Sequence, residues 1–182
     1  FQRHGHGKTV RVIPNAVEVQ PRPEGFDAQA VRRSYGLPER SPLVGIFGDI
    51  APRKGHVDLI RAMEIVARET PDVHCVVVGN GETEYLGQVK AEIAKAKLSE
   101  RITFLGHQAD VWPLLRSVDV MACPSRAEGF GRILVEGMGA GVPVVGACVG
   151  GIPEVIHDEQ TGLLVPPADP PALANAISRL LS

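Results

Sequence analysis

The sequence predicts a doubly wound, Rossmann-like α/β fold, a parallel sheet covered by helices on both faces. Two observations carry that reading. Short apolar runs alternate along the chain with longer stretches whose apolar residues recur at helical spacing. The connections between successive runs are too long for hairpins, which leaves crossover helices and parallel strands.

Taken in order, residues 1–9 read as a flexible arm or the remnant of an interdomain connection, and residues 10–182 as one domain. His4 and His6 lie in that arm with no further ligand nearby. Val10–Ile13 is a short strand stopped by Pro14, and Val17–Phe26, with Pro21, Pro23 and Gly25, is an extended loop. Asp27 is placed to cap a short helix through Tyr35 that Gly36 ends. Leu43–Gly48 is a strand, and His56–Glu69 a helix with Val57, Ile60, Ala62, Ile65 and Val66 on its inner face. Val73–Val78 is a second apolar strand, followed by a more polar helix over Glu82–Lys97. Ile102–Leu105, Val118–Cys123, Pro143–Ala147 and Leu163–Val165 supply further strands. Short helices are expected over Val111–Ser117 and Ile152–His157, and a final one over Pro171–Leu181.

Composition narrows the function classes. The 182 residues are 44% apolar and 22% charged, ordinary for a globular domain. A net charge of −2 provides no global positive field, so nucleic acid is not an expected partner and any anion site must be local. Cys75, Cys123 and Cys148 form an odd set without CxxC spacing, which fits a reducing cytoplasm. No run reaches the about eighteen apolar residues of a membrane span, and Phe1–Lys8 lacks the apolar core of a signal peptide. A chain opening on Phe1 is expected to be a piece of something longer.

The chemistry concentrates between Ser125 and Val145. Glu128 falls in a loop at a strand's C-terminal end, where open α/β sheets bind ligands. Gly129 and Gly131 leave the backbone room to approach a ligand, and a helix from about Phe130 would aim unpaired N–H groups at an anion there. Glu136 lies too deep in that helix to serve its dipole. Ile133, Leu134, Val135, Met138 and Ala140 make the helix apolar on most sides, which predicts a largely buried helix. A carboxylate there needs partners, and ligand hydroxyls are suitable ones. The ordinary alternatives are a loop glutamate and a solvated helix face.

Gly48-Asp49-Ile50-Ala51-Pro52-Arg53-Lys54-Gly55 lies at the same sheet edge. It has neither the GxxxxGK[ST] nor the GxGxxG order. Arg53 and Lys54 precede a helix whose dipole they oppose, so they are either solvated loop cations or cations that an anion answers. Gly79-Asn80-Gly81 and Leu105-Gly106-His107-Gln108 close two more strands and could frame a base or sugar. His56, His74 and His157 form no metal-ligand spacing, and no GxSxG, HExxH or Cys–His pairing points to hydrolysis.

These segments together resemble the C-terminal, nucleotide-sugar-binding domain of GT-B retaining glycosyltransferases of family 4, the glycosyl transferases group 1. Val12-Ile13-Pro14-Asn15, Lys54-Gly55 and Val78-Gly79-Asn80-Gly81 resemble the family's landmarks. So do Gly150-Gly151-Ile152-Pro153-Glu154 and Thr161–Val165. Pro124-Ser125 through Glu128-Gly129-Phe130-Gly131 to Glu136, two glutamates separated by seven residues, resembles its most diagnostic motif. The resemblance implies that Glu128 holds the donor sugar, that Glu136 accepts from the ribose hydroxyls, and that Lys54 neutralises the leaving diphosphate. It implies that the amides of Gly129, Phe130 and Gly131 face sugar and diphosphate, that Gly48 and Gly79 border the nucleotide, and that His107 and Gln108 lie near the base. The donor would be a UDP-, GDP- or ADP-sugar, with no cofactor and no metal implied. An N-terminal acceptor domain, absent from this chain, would complete an enzyme able to work at a membrane surface. The sequence departs from the family at Asp49, where an arginine usually stands. Two other readings remain open: a nucleotide-binding or interaction module without catalysis, to which Asp49 points, and another GT-B enzyme such as a nucleotide-sugar epimerase, against which the paired glutamates argue.

Overall fold

A computed structural model describes residues 15–182. The expected arm over residues 1–9 and the strand at Val10–Ile13 lie outside the described residues. From Asn15 to Phe26 the backbone is irregular, as the prolines require. Helix α1 (Ala28–Ser34) follows, with the Asp27 carboxylate accepting from the amides of Gln29 and Ala30 at 2.8 and 3.1 Å. Then come β1 (Leu43–Phe47), α2 (His56–Glu69), β2 (His74–Val78), α3 (Thr83–Lys95), β3 (Ile102–Gly106), α4 (Trp112–Leu115) and β4 (Val120–Cys123). The chain ends with α5 (Arg132–Gly139), β5 (Val144–Ala147), α6 (Ile152–Val155), β6 (Leu163–Val165) and α7 (Pro170–Leu181). Single 3₁₀ turns at Pro52–Lys54 and Ser99–Arg101 occupy stretches to which the sequence reading assigns neither helix nor strand.

Among the described residues six strands form one parallel sheet in the order β3-β2-β1-β4-β5-β6. Alternate side chains along each strand divide the core in two. Val44, Ile46, Cys75, Val77, Val120 and Ala122 pack under α2, α3 and α7, together with Leu59, Met63, Val89, Leu173 and Ile177. Leu43, Phe47, Val76, Val78, Met121 and Cys123 face the opposite layer, where Leu37, Leu114, Leu115, Leu134 and Ile152 close the second core. Cys75 and Cys123 are buried in these strands, and burial pushes the Cys75 thiol up to about 12.

Helix α5 differs from its expectation in two ways. It begins at Arg132, because Gly131 takes a left-handed backbone (φ 81°) that the helix cannot include and serves as its N-cap. It is also less buried than its apolar content predicts, since only Leu134 and Gly137 are buried along it. The helix lies on the outside of the sheet with one side inward, and Val135 and Met138 remain half-buried.

The order of strands matters for the site. β1 lies between β2 and β4, so the chain reverses its direction of travel across the sheet between β1 and β4. At such a switch point the loops leaving the two strands turn apart and leave a crevice.

Candidate functional site

A cleft of about 770 Å³ opens at that crevice, across the C-terminal ends of β1 to β4. Its walls include Gly48, Asp49, Arg53 and Lys54 after β1, and Gly79 and Asn80 after β2. His107 to Val111 after β3, Trp112 of α4, and Glu128, Gly131, Arg132, Ile133 and Glu136 complete them.

Lys54 and Glu128 meet across the crevice. The Lys54 ammonium donates to Glu128 Oε2 at 2.6 Å, with the side chains only 14% and 13% exposed. The Ser125 hydroxyl, fully buried, donates to the same oxygen at 3.3 Å. Burial opposes ionisation of Glu128, but these bonds and the lysine charge outweigh it and hold the carboxyl below its ordinary range. Lys54 has two further N–H donors to offer a ligand.

The loop carrying Glu128 is braced from several directions. The Arg126 amide donates to the Arg53 carbonyl at 2.7 Å, tying it to the loop after β1. The Arg126 guanidinium forks onto the buried Asp58 carboxylate of α2 through two bonds of 2.8 Å. From the third side, the Gly150–Gly151 turn lies against the Glu128 carbonyl, which accepts from the Gly151 amide at 3.4 Å. A ligand therefore meets a loop that is already fixed.

Glu136 sits one turn into α5, and Arg132 approaches its carboxylate at 3.3 Å. Burial raises the Glu136 carboxyl above its ordinary value, with the Arg132 charge offsetting part of the effect. Among the described residues no side chain caps α5; the Leu134 amide is taken by the Gly131 carbonyl at 2.8 Å, which leaves the amides of Arg132 and Ile133 to offer an anion. Asp49 does pair with Arg53, at 3.2 Å, but on the exposed rim.

Glu128, Lys54, Glu136, Gly131, Gly48, Asp49, Gly79, His107 and Gln108 all border this one cleft. Gly129 and Phe130 belong to the same loop but are not among the residues that line it. The Gln108 amide is engaged by the Leu105 carbonyl at 2.8 Å, and the His107 amide by Asn80 at 3.1 Å. Several wall residues were not singled out from sequence, among them Trp112, Gln20 and Arg132. Trp112, 7% exposed, forms a flat apolar wall with the Arg116 guanidinium 5.0 Å above its ring. Arg116 also donates to the Gln20 and Pro21 carbonyls, which sets Gln20 at the cleft edge. The signal for Trp112 was available: it is the sole tryptophan of the chain and opens a helix at the ligand-binding edge. Among the described residues no group of three or more His, Cys, Asp or Glu is placed to hold a metal ion, and no helix is long and apolar enough to cross a membrane.

Residues 27–182 match the glycosyl transferases group 1 family. The chain belongs to that family. Among its curated relatives, a D-inositol 3-phosphate glycosyltransferase of Mycobacterium sp. (strain KMS) is 38% identical over 161 residues, 86% of this chain and 36% of the relative. The crystal structure of Anabaena Alr3699/HepE in complex with UDP-glucose superposes with a TM-score of 0.82 at 32% identity, covering 88% of this chain and 44% of the other. The crystal structure of the C-terminal domain of a glycosyl transferase group 1 family protein, LpcC, from Francisella tularensis gives 0.77 at 28% identity, covering 85% of this chain and 82% of that one. The chain thus spans about a third of the length of this curated relative, and the parallel Rossmann-like sheet is shared with GT-B glycosyltransferases.

Proposed function

We propose that this chain is the donor-binding half of a retaining, family 4 glycosyltransferase, taking a nucleoside-diphosphate sugar with UDP as its nucleotide. The observation that carries the reading is the convergence of the Lys54–Glu128 pair, Glu136 and the uncapped start of α5 on one cleft at the switch point. Likeness to HepE, solved with UDP-glucose, supports UDP as the nucleotide, and coverage of most of the LpcC C-terminal domain supports the donor-domain assignment.

In this reading Glu136 accepts from the ribose hydroxyls, which supply the donors its half-buried carboxylate lacks. The diphosphate lies against the first amides of α5 and the Lys54 ammonium. As the sugar–phosphate bond breaks, negative charge grows on the departing diphosphate, so both groups stabilise the transition state more than the ground state. Glu128 holds sugar hydroxyls while its charge stays balanced by Lys54. An acceptor presented by a second domain would complete the reaction, so the 182-residue chain binds donor and transfers nothing alone.

Calorimetric titration with UDP, GDP, ADP and their sugar conjugates tests this. UDP and UDP-sugars are expected to bind, and Glu136→Ala to weaken them by about tenfold, the loss of roughly one hydrogen-bonded charged group. A folded chain that binds no nucleotide would overturn the proposal.

A further inference from the structure

Three cations line the cleft among the described residues, Arg53, Lys54 and Arg132, and each is answered by a carboxylate. The answers differ. Lys54 and Glu128 are both largely buried and joined at 2.6 Å, whereas the contact of Arg132 with Glu136, at 3.3 Å, is the longest of the three. Arg132 is 73% exposed there, and Glu136 only 15%.

Arg132 is also the first residue of α5, a position where a cation opposes the helix dipole. Among the described residues its side chain packs into neither core. What it does is supply the counter-charge for Glu136 in a half-buried place where the carboxylate would otherwise stand alone. Hydroxyl groups donating to Glu136 would take over that duty. Arg132 would then be released beside the uncapped amides of α5, where an anion is expected.

Resting on the nucleotide reading above, we propose that Arg132 binds the diphosphate, and that it reaches it by exchanging Glu136 for the phosphate when the ribose hydroxyls engage Glu136. Arg132 and Glu136 are one helical turn apart on one face of α5, so the ligand must carry both hydroxyl donors and an anionic group. A nucleoside diphosphate has both. A nucleoside lacks the anion, and inorganic pyrophosphate lacks the hydroxyls.

The test compares UDP, UMP and uridine on the wild-type chain, Arg132→Gln and Arg132→Lys, by NMR titration, which reads millimolar as well as tighter binding. Arg132→Gln is expected to weaken UDP by about tenfold, a typical yield of one charge-assisted contact. UMP should lose less and uridine nothing, while Arg132→Lys recovers most of the UDP affinity. The exposed position of Arg132 leaves folding intact, which circular dichroism verifies. A folded Arg132→Gln chain with an unchanged ratio of UDP to UMP affinity would overturn the proposal, and so would equal weakening of all three ligands, which marks a structural role. Failure of the wild-type chain to bind UDP is a separate outcome: it overturns the nucleotide reading, and this inference with it.

Discussion

The cleft holds its charges in two ways, at its floor and at its rim. On the floor, Lys54 and Glu128 share a short bond in a place nearly closed to water, backed by Ser125 and by a loop tied to α2 and to the Gly150 turn. On the rim, Asp49 and Arg53 meet at 3.2 Å with side chains 76% and 49% exposed. The first pair cannot be opened from one side without stranding a charge. The second is worth about 0–1 kcal/mol and its members can turn elsewhere when a ligand arrives. The floor is preorganised, and the rim is adjustable.

The sharpest way to break the floor is from behind. Gly150 has φ 53°, and a Cβ there would lie 1.7 Å from the Glu128 carbonyl oxygen. Gly150→Ala must push the Glu128 loop off its brace, and is expected to cost roughly 3–4 kcal/mol in urea denaturation, at the upper end of single-substitution effects. A cost below 1 kcal/mol would mean the loop yields easily and the floor is not rigid.

Acid reaches the floor next. His56 opens α2 directly after Lys54 and Gly55; it is 2% exposed, and among the described residues no group, the nearby Ala51 backbone included, meets either ring nitrogen in hydrogen-bonding geometry. Burial pushes its pKa down to about 4, with the Ala51 backbone opposing in part and the Lys54 charge adding to the fall. The unfolded chain therefore binds this proton more readily. Stability from His56 is full above pH 6.5 and is lost as pH falls through about 4, a decline of about 3 kcal/mol. Glu128 acts in a lower window: its contribution is complete above the ordinary carboxylate range and is lost only as pH falls through its depressed value. Denaturation at a series of pH values should show the earlier loss, and His56→Leu should flatten it while leaving the later one. Removing the lysine itself comes third. Lys54→Met leaves the largely buried Glu128 with the Ser125 hydroxyl but no cation, which should cost about 2–3 kcal/mol, somewhat less than for a fully buried pair, and should abolish detectable UDP binding. Lys54→Met combined with Glu128→Gln should recover most of the stability and none of the binding.

Much of the fold was legible because helix and strand impose different periods on the sequence. The bounds of α2 at His56 and Glu69 and of β6 at Leu163 and Val165 were readable from apolar spacing and its punctuation. Strand order was not, because it is settled by packing among residues far apart in the chain. The site divides along the same line. The convergence of sequence-distant loops was expected from the rule that ligands sit at strand ends, but the bond between Lys54 and Glu128, 74 residues apart, depends on β1 lying next to β4. Arg132 went unnoticed for the opposite reason: its partner is only one turn away, so it reads as an ordinary surface pair until the exposure of its two members is known.

The rim provides the smallest effect and a sharp contrast with the floor. Asp49 places a carboxylate among the cations that border the cleft, and its pair with Arg53 leaves that charge exposed to any anion that enters. Asp49→Arg removes the repulsion and adds a cation, so UDP affinity should rise severalfold, with the gain shrinking at high salt as expected for exposed charges. Stability should change by less than about 1 kcal/mol, since the pair it breaks is exposed. Asp49→Asn, which only removes the repulsion, should give a smaller gain in the same direction. If both variants bind UDP as the wild type does or more weakly, Asp49 does not face the diphosphate, and the loop after β1 contributes to the cleft through Lys54 alone.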